Sequence, residues 1–507
     1  MATGQQTITF TAKDILQGLS PLQDGISKTG GFFSVCTNID LNRYPGMICP
    51  GPLASAYSGT PISEALYTIK YLDSTVNYTG LVLGASHLYK VFGAVINTGG
   101  FPHAYTAGGA SKAHSILTCS TGSGGTPGVF YFLDGDIGKY VGSSLTDNWG
   151  STIPSGAAII NSTYIHRALV GTEAGLGGMM YFTNGGYVGA YDPTTGTNGT
   201  LNVSAFSLPA GFIAYDILPS NGYIEIYASN GWKAIIIQWD GVPGDLASSI
   251  IDVDEANILG GKLVDGFPHL VTQGNTGNTT IRQKNFYGYP QVQTISNFTG
   301  STVATTAAML GSSNGSLYIG DGNKNTIFTY GTPFSTYSYR GTENSGTFQA
   351  ILQQPFSASG TVQSLDVWEG GIHVVSNLGT GNSTIEQFSL VNNTTFNNSG
   401  ASFRTLFFDL PINSTIESIK FYIQYPSAST AAFTPSIYTD YKTSAASWTA
   451  PDDVKAGNLD VNGNAKTYFG LGLMSDNFAI SGVWSNSTSN TGTIVIHRID
   501  VTIAAKQ

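Results

Sequence analysis

Apolar and aromatic residues in this chain come in short runs, each followed by a turn of Asn, Asp, Gly or Ser and then a second short run. "LYIGDGNKNTIFTYG", Leu317 to Gly331, is one such unit, and six more with its rhythm open at Leu81, Gly128, Met179, Tyr223, His269 and Ile372. Two β-favouring runs around a polar turn predict a β-hairpin, because Asn and Gly supply the positive φ that hairpin turns require. The hairpins start 44 to 55 residues apart. That spacing is too long for leucine-rich or ankyrin repeats and suits propeller blades of about 40–50 residues. Residues 61–396 divide into seven repeats of 48. Each has room for two more strands, as in "GFIAYDILP" (211–219) or "TVQSLDVWEG" (361–370). Radial four-stranded sheets leave only short, protected edges. The expected fold is all-β, with a β-propeller over 61–396, of seven blades by this division, six or eight being the alternatives.

The flanks read differently. Residues 1–60 have little periodicity beyond "AKDILQGL", which suits a turn or two of helix. Pro45, Pro50 and Pro52 lack backbone donors and stand among glycines, which predicts an extended Pro/Gly-rich arm. From residue 400 to 507 the runs lengthen: 402–425, 433–441, 466–474 and 492–504. The last alternates at Ile494, Ile496, Ile499, Val501 and Ile503, with a phase slip at His497–Arg498. A C-terminal antiparallel β-sandwich is expected, with Pro411 at a strand end.

Composition narrows the function. Charged residues are 10% of the chain, against about 25% in ordinary soluble domains. The 41% hydrophobic content argues against disorder. Net charge is −10 with Lys and Arg scattered singly, so the basic groove that nucleic-acid binding needs is missing. No apolar run approaches the ~18 residues of a membrane span, and "MATGQQTITFTAKDILQGLS" has no secretory-signal pattern. Asn-x-Ser/Thr triplets are frequent because Asn, Ser and Thr are frequent.

Candidate chemistry is sparse. Asp252, Asp254 and Glu255 form the densest acidic group; alternation would place Asp252 and Asp254 on one face, a possible cation site or acid/base pair, or simply an acidic strand end. Asp321, Asn323 and Asn325, and the Asp134–Asp136 pair, echo calcium loops but lack the later Glu and read as turn chemistry. The seven histidines are isolated, and Cys36, Cys49 and Cys119 lie at no metal spacing, although a Cys36–Cys49 bridge has room in a loop. No metal or cofactor is implied, and no nucleophile elbow or phosphate loop occurs. The six tryptophans, Trp448 and Trp484 foremost, are candidate sugar platforms or core residues.

The arm "GLSPLQDGISKTGGFFSVCTNIDLNRYPGMICPGPL", the blade-like repeats and the closing strand "IHRIDVTI" together resemble virion proteins of tailed bacteriophages. The matching positions are Tyr44, Pro45, Gly46, Pro50, Gly51, Pro52 and 494–503. The resemblance implies a non-enzymatic structural part of a tail, of nozzle, tail-tip or adaptor type. Such a protein would be assembled in the host cytoplasm, arranged as a homo-oligomeric ring and able to contact the host surface. Phe32, Phe33, Tyr44, Pro45, Pro50 and Pro52 are then the expected contacts with neighbouring subunits. Two other readings stand beside it: a lectin-like receptor-binding protein using Trp448 or Trp484, and a propeller glycan hydrolase using Asp252 and Asp254.

Overall fold

The computed structural model describes residues 5–11, 33–40, 47–72, 79–97, 100–106, 108–119, 128–153, 160–195, 199–274, 279–295, 306–313, 315–322, 326–330, 348–352, 360–368, 370–379, 381–390, 396, 398–399, 401–424, 431–439, 465–486 and 492–505. The chain divides into two compact units, one of 1–54, 326–353 and 388–507, the other of 55–325 and 354–387. Among the described residues no helix is long and apolar enough to cross a membrane.

Strands between 55 and 389 form a succession of small antiparallel sheets, a propeller-like all-β architecture. The first holds Leu66–Leu72, Thr79–Gly84 and His87–Phe92, with two short edge strands. Four-stranded sheets follow over 116–146, 168–207, 213–253 and 257–295, then the pair Leu310–Ser313 and Ser316–Asp321, and a last sheet over 361–389 takes Ser55–Ala56 as its fourth strand. The hairpins expected from Leu81, Gly128, Met179, Tyr223, His269 and Ile372 each supply the second and third strands of a sheet. These strands are buried on both faces: in Tyr223–Ser229 every residue after Tyr223 is buried, and Ser316–Asp321 is buried throughout. Continuous apolar runs, rather than strict alternation, are what such a position selects. Neighbouring sheets share cores, as where Leu169, Tyr181 and Val188 meet Ile217, Ile226 and Trp239.

The first strands of the sheets are joined by side chains. Thr68 Oγ1 donates to the His114 carbonyl (2.7 Å), and Ser115 Oγ accepts from the Ala168 N–H (2.9 Å). Arg167 faces Asp216, whose other oxygen accepts the Gly261 N–H (2.8 Å). At Gly260 a Cβ would stand 2.6 Å from Ala307 Cα, so here bare backbone makes the contact. Ser364 Oγ donates to the Ala308 carbonyl (3.0 Å) and accepts the Ile69 N–H (3.1 Å), which returns the circuit to the first sheet. Four of these first strands carry a β-bulge at the same place, at Leu66/Thr68, Ala214/Asp216, Ile258/Gly260 and Val362/Ser364. A bulge turns the next side chain, and that side chain is the joining Thr68, Asp216 or Ser364, or the glycine of the close approach.

The first and last of these sheets also meet at the edge. Ser55 and Ala56 pair with Gln387 and Glu386, Ile62 exchanges backbone hydrogen bonds with Ser383, and Leu66 N–H donates to Ser383 Oγ (3.0 Å). Tyr57 donates its hydroxyl to Nδ1 of buried His373, whose ring stacks on Trp368 at 3.4 Å.

In the other unit, the C-terminal strands Ser402–Thr405, Phe408–Gln424, Ala431–Thr439, Ala465–Asn486 and Val495–Ala505 belong to a single hydrogen-bonded sheet. Gln5–Thr11 and Phe33–Thr37 complete it, pairing with Val495–Ala505 and Ser402–Thr405. Thus part of the segment expected as an extended arm is strand in its own chain; "AKDILQGL" lies outside the described residues. The phase slip at His497 is a bulge, where Arg498 pairs with Tyr422 and Ile496 with Ile423. Pro411 sits inside Phe408–Gln424 rather than at its end, but the ladder to Ala465–Asn486 is broken between Asp409 and Ser414. Gly482, mid-strand, lies under two rings: a Cβ there would be 2.2 Å from Phe433 and 2.9 Å from Phe403.

Two substitutions test these joints. Ser364→Ala leaves a buried carbonyl and a buried N–H unpaired, and should lower unfolding free energy in urea by about 2 kcal/mol. Gly482→Ala overpacks the aromatic pair and should cost about 1–3 kcal/mol; an unchanged urea midpoint in either variant would refute the corresponding role.

Candidate functional site

Of the residues singled out in the sequence, Phe32, Tyr44, Pro45 and Trp448 lie outside the described residues, as do Asn323 and Asn325. Phe33 opens a strand, opposite Thr405. Pro50 and Pro52 are buried: Pro50 pairs with Ile39, and Pro52 bridges Phe396. Enclosed by their own chain, they offer no surface to a neighbour, which corrects the docking role expected of them. Trp484 is also corrected. It is 1% exposed, its ring sits 4.7 Å from Phe433 and 5.8 Å from Phe403, and its Nε1–H donates to the Ile494 carbonyl (2.9 Å). A sugar cannot reach it. Trp149, Trp239 and Trp368 are buried, while Trp232 is 83% exposed.

The suspected acids serve turns and ion pairs. Exposed Asp252 pairs with Lys233 (2.8 Å), whereas Asp254 and Glu255 both pair with Arg282 (3.0 and 2.8 Å). Asp252 and Asp254 are thus committed to different cations. Asp136 accepts the N–H groups of Ile137 and Ser151 and the Ser151 hydroxyl, and Asp134 accepts from His114. Cys36 lies opposite Phe403 and Cys49 opposite Asp40 in separate sheets. Among the described residues no group of three His, Cys, Asp or Glu side chains could hold a metal ion.

Three constellations have the parts of catalytic machinery without its wiring. Ser86 Oγ (2.9 Å) and Glu64 Oε1 (3.0 Å) both lie against Nδ1 of His87. A proton relay needs acid and nucleophile on opposite ring nitrogens, and Glu64 also accepts the Ser86 N–H and hydroxyl and the Tyr89 hydroxyl. This carboxylate fastens a turn. Asp147, 1% exposed, faces His103 and accepts from Thr106 and Tyr131; burial pushes its carboxyl up, but those hydrogen bonds outweigh it and hold it below the usual range. Glu225 is fully buried among Lys284, Tyr227, Tyr289 and Gln238, which likewise outweigh burial and keep it ionised.

The larger concentration of charge lies where the first strands converge. A cavity of about 170 Å³ is lined there by Lys70, Arg167, Glu173, Asp216, Lys262 and Asp366. Lys70 comes from Leu66–Leu72, Asp216 from Ile213–Ser220, Lys262 from Asn257–Val264 and Asp366 from Thr361–Trp368; Arg167 immediately precedes Ala168–Val170. The bulges and side-chain joints described above hold these strands in place. Asp366 accepts the N–H groups of Tyr71 (2.9 Å) and Val367 (3.0 Å) and pairs with Lys70 (3.3 Å). Burial raises it, but Lys70 and Lys262 outweigh that and hold it below the usual carboxylate range. Asp216 accepts the N–H groups of Ile217 (2.9 Å) and Gly261 (2.8 Å), and Arg167 Nε stands 3.7 Å away, a looser contact. Here burial prevails and the carboxyl is raised. Desolvation, with Lys70 and Arg167 adding repulsion, brings the Lys262 ammonium down to about 8. No sequence motif marks this group, because its members are single charges spread from residue 70 to residue 366. The signal available was a lone charge in an apolar first strand, as in "LYTIKYL" and "IAYDILPS".

No protein-family model matches the chain, and no curated protein matches it. A crystal structure of Raptor from Chaetomium thermophilum is similar over 68% of this chain and 29% of the Raptor chain, at 9% identity and a TM-score of 0.41. The match spans less than a third of Raptor's length, and a likeness this low establishes neither a shared family nor a shared role.

The buried histidines make stability depend on pH. His166 Nδ1–H donates to the Thr183 carbonyl (2.7 Å), and its N–H donates to His114 Nδ1 (3.1 Å). That second bond fixes His114 as the Nε2–H tautomer, which donates to Asp134 (2.9 Å). Burial brings both His166 and His373 down to about 4. Unfolded histidine titrates near 6.5, so the unfolded chain takes up protons first as pH falls. The stabilisation is complete above about 6.5 and is lost toward 4, at about 3 kcal/mol per histidine by pH 4. Urea unfolding across this window should show that decline, and His166→Gln should reduce its slope; an unaltered slope would contradict the assignment.

Proposed function

We propose that this chain is a non-enzymatic structural component of a bacteriophage tail, of nozzle, tail-tip or adaptor type. In this reading the successive small sheets close as a seven-bladed propeller, and the 22-residue strand Ala465–Asn486 carries the C-terminal sheet over into a sandwich. The return of the first-strand joints from Ser364 to Ile69, with Ser55–Ala56 completing the last sheet, supports the closed ring. The protein would work by presenting loops from a rigid body to neighbouring virion subunits.

One observation carries the reading: the large apolar side chains at turn tips. Trp232, Leu246, Phe286 and Tyr287 are 83%, 88%, 95% and 93% exposed. Such groups on a chain poor in charge suit contact with other proteins, since aromatic anchors dominate interface energetics. The carboxylates that could do acid/base work are committed to ion pairs or backbone amides, which favours a scaffold over a hydrolase.

Mass spectrometry of purified phage particles should find the protein as a stoichiometric component. A Phe286→Ser, Tyr287→Ser variant should fold with an unchanged melting temperature yet be incorporated at least about tenfold less well, the loss expected of an interface anchor. Full incorporation of that variant would remove these turns from the interface. The exposed Trp232 favours glycan recognition as a second reading; a glycan-array signal lost in Trp232→Ala and unaffected by the Phe286/Tyr287 change would support it.

A further inference from the structure

The cavity at the convergence of the first strands is unevenly satisfied. Its acceptors are occupied: Asp216 and Asp366 each receive two backbone N–H groups, besides facing Arg167 and Lys70. Its donors are not. Among the described residues the buried Arg167 Nε–H has no close acceptor, Asp216 making a long contact at 3.7 Å, and the guanidinium's other contact is with the Ala113 carbonyl, at 3.4 Å. The Lys262 ammonium has no hydrogen bond or ion pair among the described residues, although it lies within electrostatic range of Lys70, Arg167, Asp216 and Asp366. A lysine amine brought into low dielectric beside two other cations loses solvation without gaining a partner. Such a group is costly unless something supplies negative charge and acceptor lone pairs.

We propose that this cavity binds a small oxyanion, a free carboxylate or phosphate species, held by the Lys262 ammonium and the Arg167 Nε–H. Lys70 adds field from the side of Asp366. A metal cation would meet three resident positive charges, and Asp216 and Asp366 already accept two backbone N–H groups each. An apolar ligand would leave both donors unpaired. The volume of about 170 Å³ accommodates a compact anion of a few heavy atoms with water. Glu173, exposed at the margin, disfavours anions with a long negatively charged tail.

The test is calorimetric titration of the full chain, dialysed into an anion-poor buffer, with sodium phosphate and separately with sodium acetate at constant ionic strength. Saturable binding of either supports the site, and the arm that responds identifies the chemistry. Binding of acetate, which stays ionised across the range, should tighten as pH falls from about 9 to about 7, because the Lys262 ammonium, brought down to about 8, must be protonated to hold the anion. Phosphate itself gains a proton over that range, and the Glu173 carboxyl, raised by desolvation, also faces Lys70 and Lys262. Lys262→Met, which removes a buried charge and keeps the side chain's length, should fold and bind at least about tenfold more weakly, the loss of one charge-assisted contact. The exposed control Lys233→Met should bind as the wild type does. Absence of saturable binding to both anions overturns the proposal, and so does binding that persists in Lys262→Met or acetate binding that does not change across that pH range.

Discussion

The propeller-like unit depends on how its first strands are tied to one another. Those strands lie closest together, and wherever two backbones approach in a water-poor space, their polar groups must find partners. The sequence meets this with a short polar side chain on or just before the strand, Thr68, Ser115, Asp216 or Ser364, that hydrogen-bonds backbone in or just before the adjacent first strand. Ser364 does so in both directions. A β-bulge aims the side chain in three of these cases, and in a fourth strand it brings the backbone of Gly260 against Ala307. Apolar residues could pack at these positions, but they would leave buried amides unpaired, at about 1–3 kcal/mol each.

The same constraint explains what could be read in the sequence. The second and third strands are covered on both sides by neighbouring sheets, so they carry dense aromatic and β-branched runs around a tight turn, and those hairpins stand out. First strands mix apolar packing with joining side chains and a bulge that breaks the alternation, so "LYTIKYL" and "NILGGKLV" look unremarkable. Cavity charges were illegible for a further reason: Lys70 and Asp366 are far apart in sequence and become neighbours where the first and last sheets meet, with Ser55–Ala56 among the joints between them. A two-residue strand has no periodicity to detect.

At the ends of the chain, composition misled. The prolines at 50 and 52 suggested an extended arm in contact with neighbouring subunits, yet each is buried at a short pairing within the chain that needs little backbone donation. In "QQTITFT" Ile8 and Phe10 have the period of a strand, too short a run to stand out beside the prolines and glycines that follow, and they pair with Val501 and Ile499. Trp484 followed the same logic inward. With Gly482 removing a side chain beneath Phe433, the rings of Phe403, Phe433 and Trp484 pack as one cluster. By contrast, the irregularity at His497 was visible, because a bulge shifts the apolar phase by one residue and the sequence keeps that record.

The scarcity of charge then bears on how such a molecule associates. Several of its ionic groups lie inside the fold: Glu225 with Lys284, Glu255 with Arg282, and the cavity set. Charges spent internally do not steer partners, and the net −10 spread over 21289 Å² of surface gives a weak field that physiological salt screens within about 8 Å. On the proposed role, recognition would come from shape and apolar contact at short range. The exposed rings of Trp232, Phe286 and Tyr287 stand on turns, held up by strands whose positions the inner joints determine. Rigid presentation keeps the entropy lost on docking small, so a chain with few surface charges can still form a specific contact, provided the strand framework beneath those turns does not yield.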